Sequence, residues 1–355
     1  MAVRVRFAPS PTGSLHVGNA LSAVANRAFA DKHGGTVVLR IDDTDPARVV
    51  AGGERAILED LAWLDVGFDE GPLRQSERSA VYEAATERLL AGGGAVHDQD
   101  GSVRLGSATL IRPDGSATYQ LATVVDDVEL AITHVIRGSD HRPNELLHRQ
   151  IAAALGAEFP EVIHHGLILG EDGRKLSKRR GDAYAALADL RDAGFPGNAV
   201  RAYLDELGLP QHDVQLDLSR LRRLAIDAIA AMPDDELAAA ADAPLELAHA
   251  VRGARTLVEA REIARQILAP PDVSLAEDAR PTLERFEELR GSAAERLDSD
   301  SAKAIIRELK AVGGDLRALR LALTGAERGP ELALVVSALE RDEALRRVAA
   351  AVPRS

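Results

Sequence analysis

The sequence contains no cysteine, which excludes a disulfide framework, a thiolate nucleophile and any Cys-ligated zinc or iron–sulfur centre. It also lacks an excess of positive charge. Its 43 Lys and Arg residues stand against 56 Asp and Glu, for a formal net charge of −13 and a pI of about 5.3. Such a balance argues against binding nucleic acid through bulk positive charge and leaves room only for a local basic face. The opening stretch, Met1 to Pro11, has no long apolar core of a signal peptide, and no later stretch approaches a membrane span, so a cytoplasmic location without membrane association is expected. No His-Glu-x-x-His, Gly-x-Ser-x-Gly or P-loop pattern occurs. Zinc proteases, α/β-hydrolases and Walker-type ATPases are therefore poorly supported, and no repeat of fixed period is visible.

What is present is ordinary for a globular chain: 355 residues, 46% apolar and 28% charged, more than one hydrophobic core usually holds. Branched apolar runs at Val3–Phe7, Thr36–Ile41, Ile132–Ile136 and Val162–Leu169 read as strands. Helical spacing fills Leu15–Asp31, Glu54–Leu64, Ala80–Leu90 and Asn144–Leu155. That alternation predicts an α/β fold, a parallel sheet with helices on both faces. The stretch Gly92–Ser107 reads as a loop or small hairpin. From Ala183 onward helical spacing dominates, so an all-helical carboxyl-terminal region is expected. The predicted domains are 1–195, 196–270 and 271–355.

Three clusters carry candidate chemistry. After the first strand, Ala8–Ser14 leads into a helix whose first turn holds His16, Gly18 and Asn19. Such junctions present backbone N–H groups to phosphate, and His16 and Asn19 share one face at i, i+3. Taken alone, this also fits an ordinary strand–helix connection with a Ser/Thr cap. The second cluster is Gly173–Gly181, Gly-Arg-Lys-Leu-Ser-Lys-Arg-Arg-Gly. Only five basic residues of the chain are lysines (Lys32, Lys175, Lys178, Lys303 and Lys310), and two fall here. A compact ammonium suits a phosphate that loses its leaving group, although a solvated basic loop is the plainer alternative. Third, Arg40-Ile41-Asp42-Asp43-Thr44-Asp45 closes the second strand, and Tyr119, Asp126, Asp127, Arg137, Asp140 and His141 surround the third. Ligands of open α/β sheets sit beyond such strand ends, where Asp42 could hold an ammonium and Arg6 or Arg137 a carboxylate. The same residues could serve as helix caps and surface ion pairs.

Together these pieces resemble a class I aminoacyl-tRNA synthetase, most closely the bacterial glutamyl branch with a nearly deleted connective insertion. His16-Val17-Gly18-Asn19 is similar to the first signature of that class and Lys175-Leu176-Ser177-Lys178-Arg179 to the second. Supporting stretches are Arg6–Gly13, Leu39–Asp45, Trp63-Leu64 with Asp69–Pro72, Gln75–Arg78, Thr118–Ala122, Val125–Asp127 and Thr133–Gly138. Near the end, Arg320–Gly325 with Gly329-Pro330 resembles the anticodon-binding bundle. The resemblance implies a Rossmann-like catalytic domain that makes glutamyl-adenylate from ATP and passes glutamate to the 3′ end of tRNA. It implies catalytic roles for His16, Asn19, Lys175 and Lys178, and contacts to ATP from Pro9, Gly18, Ser139, Leu176, Ser177 and Arg179. Glutamate would meet Arg6, Ala8, Ser10, Asp42, Tyr119, Thr123 and Arg137. Mg²⁺ is expected with the nucleotide, no zinc or other resident metal is expected, and the partners would be the glutamate tRNA and glutamate, with the protein a monomer.

Four departures from the family pattern accompany the likeness. Asp42 stands where the family has Glu, Thr123 where it has Asn, and Ser139 where it has Glu. The connective insertion, which normally grips the acceptor end, is reduced to 92–107. In its place Arg220, Arg222, Arg223, Arg252, Arg255, Arg261 and Arg265 could form a phosphate-tracking face or merely a solvated helix surface. Two alternatives stay open: an adenylate-forming paralogue for another amino acid or acceptor, including tRNA-modifying glutamyl transfer, and a non-catalytic binding relative. Replacement Lys178→Ala is expected to lower adenylation severely without unfolding the chain, as read by ATP–pyrophosphate exchange; near-normal turnover removes the assignment.

Overall fold

In the computed structural model, which describes residues 2–177 and 180–351, the chain contacts divide into two units, one of 1–191 with 197–221 and one of 192–196 with 222–355. Lys178 and Arg179 lie outside the described residues.

The first unit is built around three short, mostly buried strands, flanked by two more exposed ones. Its elements run β1 (Arg4–Phe7), α1 (Val17–His33), β2 (Thr36–Ile41), α2 (Gly53–Trp63), β3 (Glu70–Arg74) and α3 (Ser79–Ala91). A small antiparallel sheet follows, β4 (Val96–His97), β5 (Val103–Leu105) and β6 (Ala108–Ile111). Then come α4 (Tyr119–Glu129), β7 (His134–Gly138), α5 (Glu145–Ala154), β8 (Glu161–His165), β9 (Ile168–Leu169), α6 (Leu187–Asp192), α7 (Gly197–Leu207) and β10 (Val214–Gln215). The main sheet has the order β3-β2-β1-β7-β8 with every pair parallel. The chain winds outward from β1 to β3 and then returns to β7 on the other side of β1. That reversal opens a crevice at the carboxyl ends of β1 and β7.

Helix α1 shows how the local sequence sets these ends. It stops at Gly34, whose φ of 59° places the C-cap in the left-handed region that glycine enters without cost. Its apolar face (Ala20, Leu21, Val24) is buried along with Val5, Val37, Val38 and Leu39 of the sheet.

Several expectations shift by a few residues, and three change in kind. The strand expected at 132–136 forms at His134–Gly138, which carries Arg137 to the strand end. The stretch expected as a loop or small hairpin is the three-stranded sheet β4–β6, reaching Ile111, with Val103, Leu110 and Ile111 packed into a core with Leu121, Val124 and Ile151. Strand β3 and helix α4 were not anticipated, because Glu70-Gly71-Pro72 reads as a turn and α4 is crowded with branched residues. The region expected to be all-helical from 196 holds β10, which pairs with β9. Helix α7 packs on α1 in the first unit, burying Ala199, Val200, Tyr203 and Leu204.

The remaining helices are α8 (Leu218–Ala231), which runs across the division, α9 (Asp234–Ala240), α10 (Ala248–Val251), α11 (Leu257–Leu268), α12 (Arg280–Gly291), α13 (Ser299–Ala311), α14 (Leu316–Thr324), α15 (Leu332–Ala338) and α16 (Arg341–Ala351). One cluster gathers Ile229, Leu237, Val251 and Ala260; a larger one gathers Phe286, Leu309, Leu319, Leu323, Val335 and Val336. No helix of the described residues is long and apolar enough to cross a membrane. Phe286 is fully buried. Its replacement by Ala is expected to cost about 3–5 kcal/mol, read as an earlier unfolding transition of the second unit in a denaturant titration.

Candidate active site

A cavity of about 660 Å³ opens at the crevice between β1 and β7. Thirteen of the residues expected to serve catalysis, ATP or glutamate line it, together with Asp140 and His141 of the third cluster. Arg6, Ala8, Pro9 and Ser10 come from the end of β1, Asp42 from the end of β2, and Tyr119 from the start of α4. Arg137 comes from β7, while His16, Gly18 and Asn19 come from the start of α1. Lys175, Leu176 and Ser177 close it from the loop after β9. Two stand apart. Thr123 is buried in α4 away from the cavity, and Ser139 is absent from the lining although its neighbours Gly138 and Asp140 belong to it.

One end of the cavity is organised by His16. Its Nδ1 accepts from the Gly18 N–H at 3.1 Å, which caps α1 and leaves the proton on Nε2. That proton goes to the Leu176 carbonyl at 2.8 Å, so the ring joins the helix turn to the lysine-bearing loop. The junction is reinforced by backbone bonds from Val17 N–H to the Ala185 carbonyl and from Leu187 N–H to the Leu15 carbonyl. Asp60 of α2, buried, accepts from the Ser14 hydroxyl, the Leu15 N–H and Arg191 at 2.8, 2.6 and 2.7 Å. On the loop, Lys175 Nζ is 2.5 Å from Asp140, and the Asp140 carboxyl sits below its usual range despite burial because Lys175 donates to it. Asp182 accepts from the Ser177 N–H and pairs with Arg180, which also donates to the Lys175 carbonyl.

The other end is dominated by guanidinium groups. Arg40, fully buried, donates to Asp42 at 2.7 and 3.3 Å and to Asp127 at 2.9 Å. Arg6 donates to the same Asp127 oxygen at 3.2 Å. Asp126 receives Gln75, Arg78 and the Tyr82 hydroxyl. Three carboxylates thus meet three guanidiniums. Arg137 is the cation left over. It is buried, none of its three nitrogens has a hydrogen-bond partner among the described residues, and burial together with Arg6 holds its pKa below the ordinary value. The same burial, aided by Arg137, pushes His148 down to about 3, so it is a neutral ring bonded to Gln120. Burial, and the Asp42 charge after it, raises the Tyr119 phenol.

Sequence reading passed over His165, which lines the cavity with its Nε2 2.8 Å from the Ser22 hydroxyl. Its place at the end of β8 was the available signal. Arg40 was read only as part of its stretch, and nothing in the order of residues distinguishes a buried arginine from an exposed one. The suggested arginine face is mostly spent locally. Arg220 pairs with Glu206, Arg255 with Glu259 and Arg265 with Glu262, while Arg252 pairs with Asp234 and donates to the Ala230 and Met232 carbonyls. Arg261 lies 3.8 Å from Asp242; Arg222 and Arg223 are exposed.

A parallel sheet with its polar cavity at the topological reversal, flanked by a helix start and a lysine loop, has the form of a class I synthetase catalytic domain. In agreement, residues 2–107 and 100–220 match the family described as tRNA synthetases class I (E and Q), catalytic domain. The chain is 35% identical to glutamate–tRNA ligase 1 of Rubrobacter xylanophilus, across 98% of this chain and 97% of that one. It is 32% identical to the glutamate–tRNA ligase of Akkermansia muciniphila, across 98% of each. The fold is similar to that of a glutamate tRNA ligase from Elizabethkingia meningosepticum, solved in complex with its amino acid, with a TM-score of 0.76 at 22% identity over 98% of both chains. The chain belongs to the glutamate–tRNA ligase family of class I aminoacyl-tRNA synthetases.

Replacing Asp60 by Ala leaves the Ser14 hydroxyl, the Leu15 N–H and Arg191 without their acceptor. The expected cost is about 2–3 kcal/mol of stability, read in denaturant, together with slower ATP–pyrophosphate exchange as the His16 turn loosens.

Proposed function

We propose that this chain activates glutamate with ATP and transfers it to the 3′ end of tRNA. The observation that carries this reading is Arg137, a buried guanidinium on the cavity wall with no hydrogen-bond partner among the described residues. An uncompensated cation in a low-dielectric pocket is costly, and a ligand carboxylate is the group that offsets it with two parallel bonds. A dicarboxylic amino acid supplies that group on its side chain while keeping its α-carboxylate for reaction. Asp42, on the same cavity, suits the α-ammonium, and Arg6, Ala8, Ser10 and Tyr119 complete the amino-acid end.

The α-carboxylate attacks the α-phosphorus of ATP. One P–O bond forms as the bond to pyrophosphate breaks, with no covalent link to the protein. His16 and Asn19 take the phosphates at the start of α1, where Gly18 keeps side chains out of the way and the positive end of the helix dipole favours anions. Pro9, Leu176 and Ser177 frame the nucleotide; the ATP contacts of Ser139 and Arg179 rest on the family resemblance. Lys175, released from Asp140, and Lys178 neutralise the charge that builds on the departing group. The tRNA 3′ hydroxyl then attacks the acyl carbon and AMP leaves. Among the described residues no group of three or more His, Asp or Glu side chains is placed to hold a metal ion. Mg²⁺ in this reading accompanies the triphosphate, and no step is routed through it. Region 196–270 would contact the acceptor stem and 271–355 the anticodon of the glutamate tRNA, with the protein a cytoplasmic monomer.

ATP–pyrophosphate exchange across amino acids, with and without tRNA, tests the reading. Exchange confined to glutamate and dependent on tRNA is expected. Robust exchange with another amino acid, or without tRNA, points instead to the paralogue, a reading that Asp42 and Thr123 keep in view. Replacement Arg137→Gln is expected to lower kcat/KM for glutamate by about a hundredfold or more and to narrow its advantage over glutamine.

A further inference from the structure

Arg40 is absent from the cavity lining, yet its guanidinium is tied to one lining residue, Asp42, directly and to another, Arg6, through Asp127. Nε and one terminal nitrogen go to the two oxygens of Asp42, the other terminal nitrogen goes to Asp127, and Asp126 stands 3.7 Å from Nε. Asp127 turns the same oxygen toward Arg6, on the neighbouring strand β1. One enclosed cation therefore fixes both an anionic and a cationic residue of the amino-acid end.

On the reading of this cavity as the amino-acid site, we propose that Arg40 is its positioning residue: without touching substrate, it keeps Asp42 ionised and aimed at the α-ammonium group and, through Asp127, sets Arg6 beside it. The charges facing Asp42 come from three elements: Arg40 on its own strand, Arg6 on β1, and Asp126 of α4, with the Tyr119 hydroxyl also from α4. Burial pushes the Asp42 carboxyl up, and Arg40 is the largest influence against it. With Arg40 removed only Arg6 opposes that push, so the Asp42 carboxyl moves further above its usual range and more of it is protonated at a given pH.

A purely structural ion pair would, when lost, weaken the whole molecule and impair both substrates alike. A positioning residue predicts a split instead. In ATP–pyrophosphate exchange on the full-length protein with tRNA present, Arg40→Gln is expected to raise KM for the amino acid about tenfold or more. KM for ATP should stay within about threefold. The variant's amino-acid KM falls as pH rises, more steeply than that of the unaltered protein. Arg40→Lys recovers part of the loss at neutral pH, because it restores the charge without the planar fork. A parallel rise in both KM values, or a loss indifferent to pH, overturns the role. If Arg40→Gln fails to fold by circular dichroism, Asp127→Asn, which keeps Arg40 and frees Arg6, carries the test: the same split supports the role and a parallel rise overturns it. Unaltered protein that exchanges a different amino acid sinks the substrate assignment while leaving the Arg40 split readable on that amino acid. Unaltered protein active on glutamate with no split in the variants sinks the Arg40 role alone.

Discussion

Removing a guanidinium from water costs several kcal/mol unless carboxylates and hydrogen bonds replace the lost solvent. The catalytic unit of this chain encloses three such groups, Arg6, Arg40 and Arg137, within one neighbourhood. The first two are compensated by Asp42 and Asp127, with Asp126 close by; the third has no hydrogen-bond partner among the described residues. Dense pairing offsets the burial of the first two and leaves the third with a charge that a ligand carboxylate would offset. The sheet serves this balance. Adjacent strands β1 and β2 bring Arg6 and Arg40 together, and α4 lays Asp126 and Asp127 beside them.

The phosphate end solves a different problem, because a loop rich in cations repels itself and tends to stay open. Here the loop is anchored by neutral and acidic groups rather than by ligand alone. His16 holds the Leu176 carbonyl, Asp182 holds the Ser177 N–H and Arg180, and Asp140 holds Lys175. The half-exposed Lys175–Asp140 pair is screened by solvent and contributes little stability. A weak pair leaves the ammonium able to exchange its carboxylate for another anion. The strong anchors are those of the backbone and His16, which need not move.

Much of this was legible in the order of residues. The strands β1 and β2 announce themselves by branched runs, and the signature stretches name the family before any coordinates. Thirteen proposed site residues fall around one cavity because strand ends and a helix start are positions that spacing alone locates. What escaped reading depends on long-range pairing. Arg40 and Arg55 look alike in sequence; one is fully buried between carboxylates and the other sits on an exposed helix face with Glu59. Strand β3 escaped because Gly71 and Pro72 are turn formers, and pairing with β2 overrode their propensity. The arginines of the helical region looked like a basic stripe until their acidic neighbours at three or four residues' distance were placed against them.

The reduced connective segment shows the same economy. The alignment to the Rubrobacter relative spans 426 positions against 355 residues, so that relative carries segments this chain does without. What remains between α3 and α4 is structural: Val103, Leu110 and Ile111 fill a core with Tyr82, Leu89 and Leu121. Arg104 pairs with Asp98, and Arg112 donates to the Thr44 and Ala117 carbonyls. A surface whose arginines are committed in this way offers few free cations to a phosphate backbone. The small sheet therefore acts as a brace for α4, the helix that carries Tyr119, Asp126 and Asp127, and so as support for the buried charge cluster around Arg40.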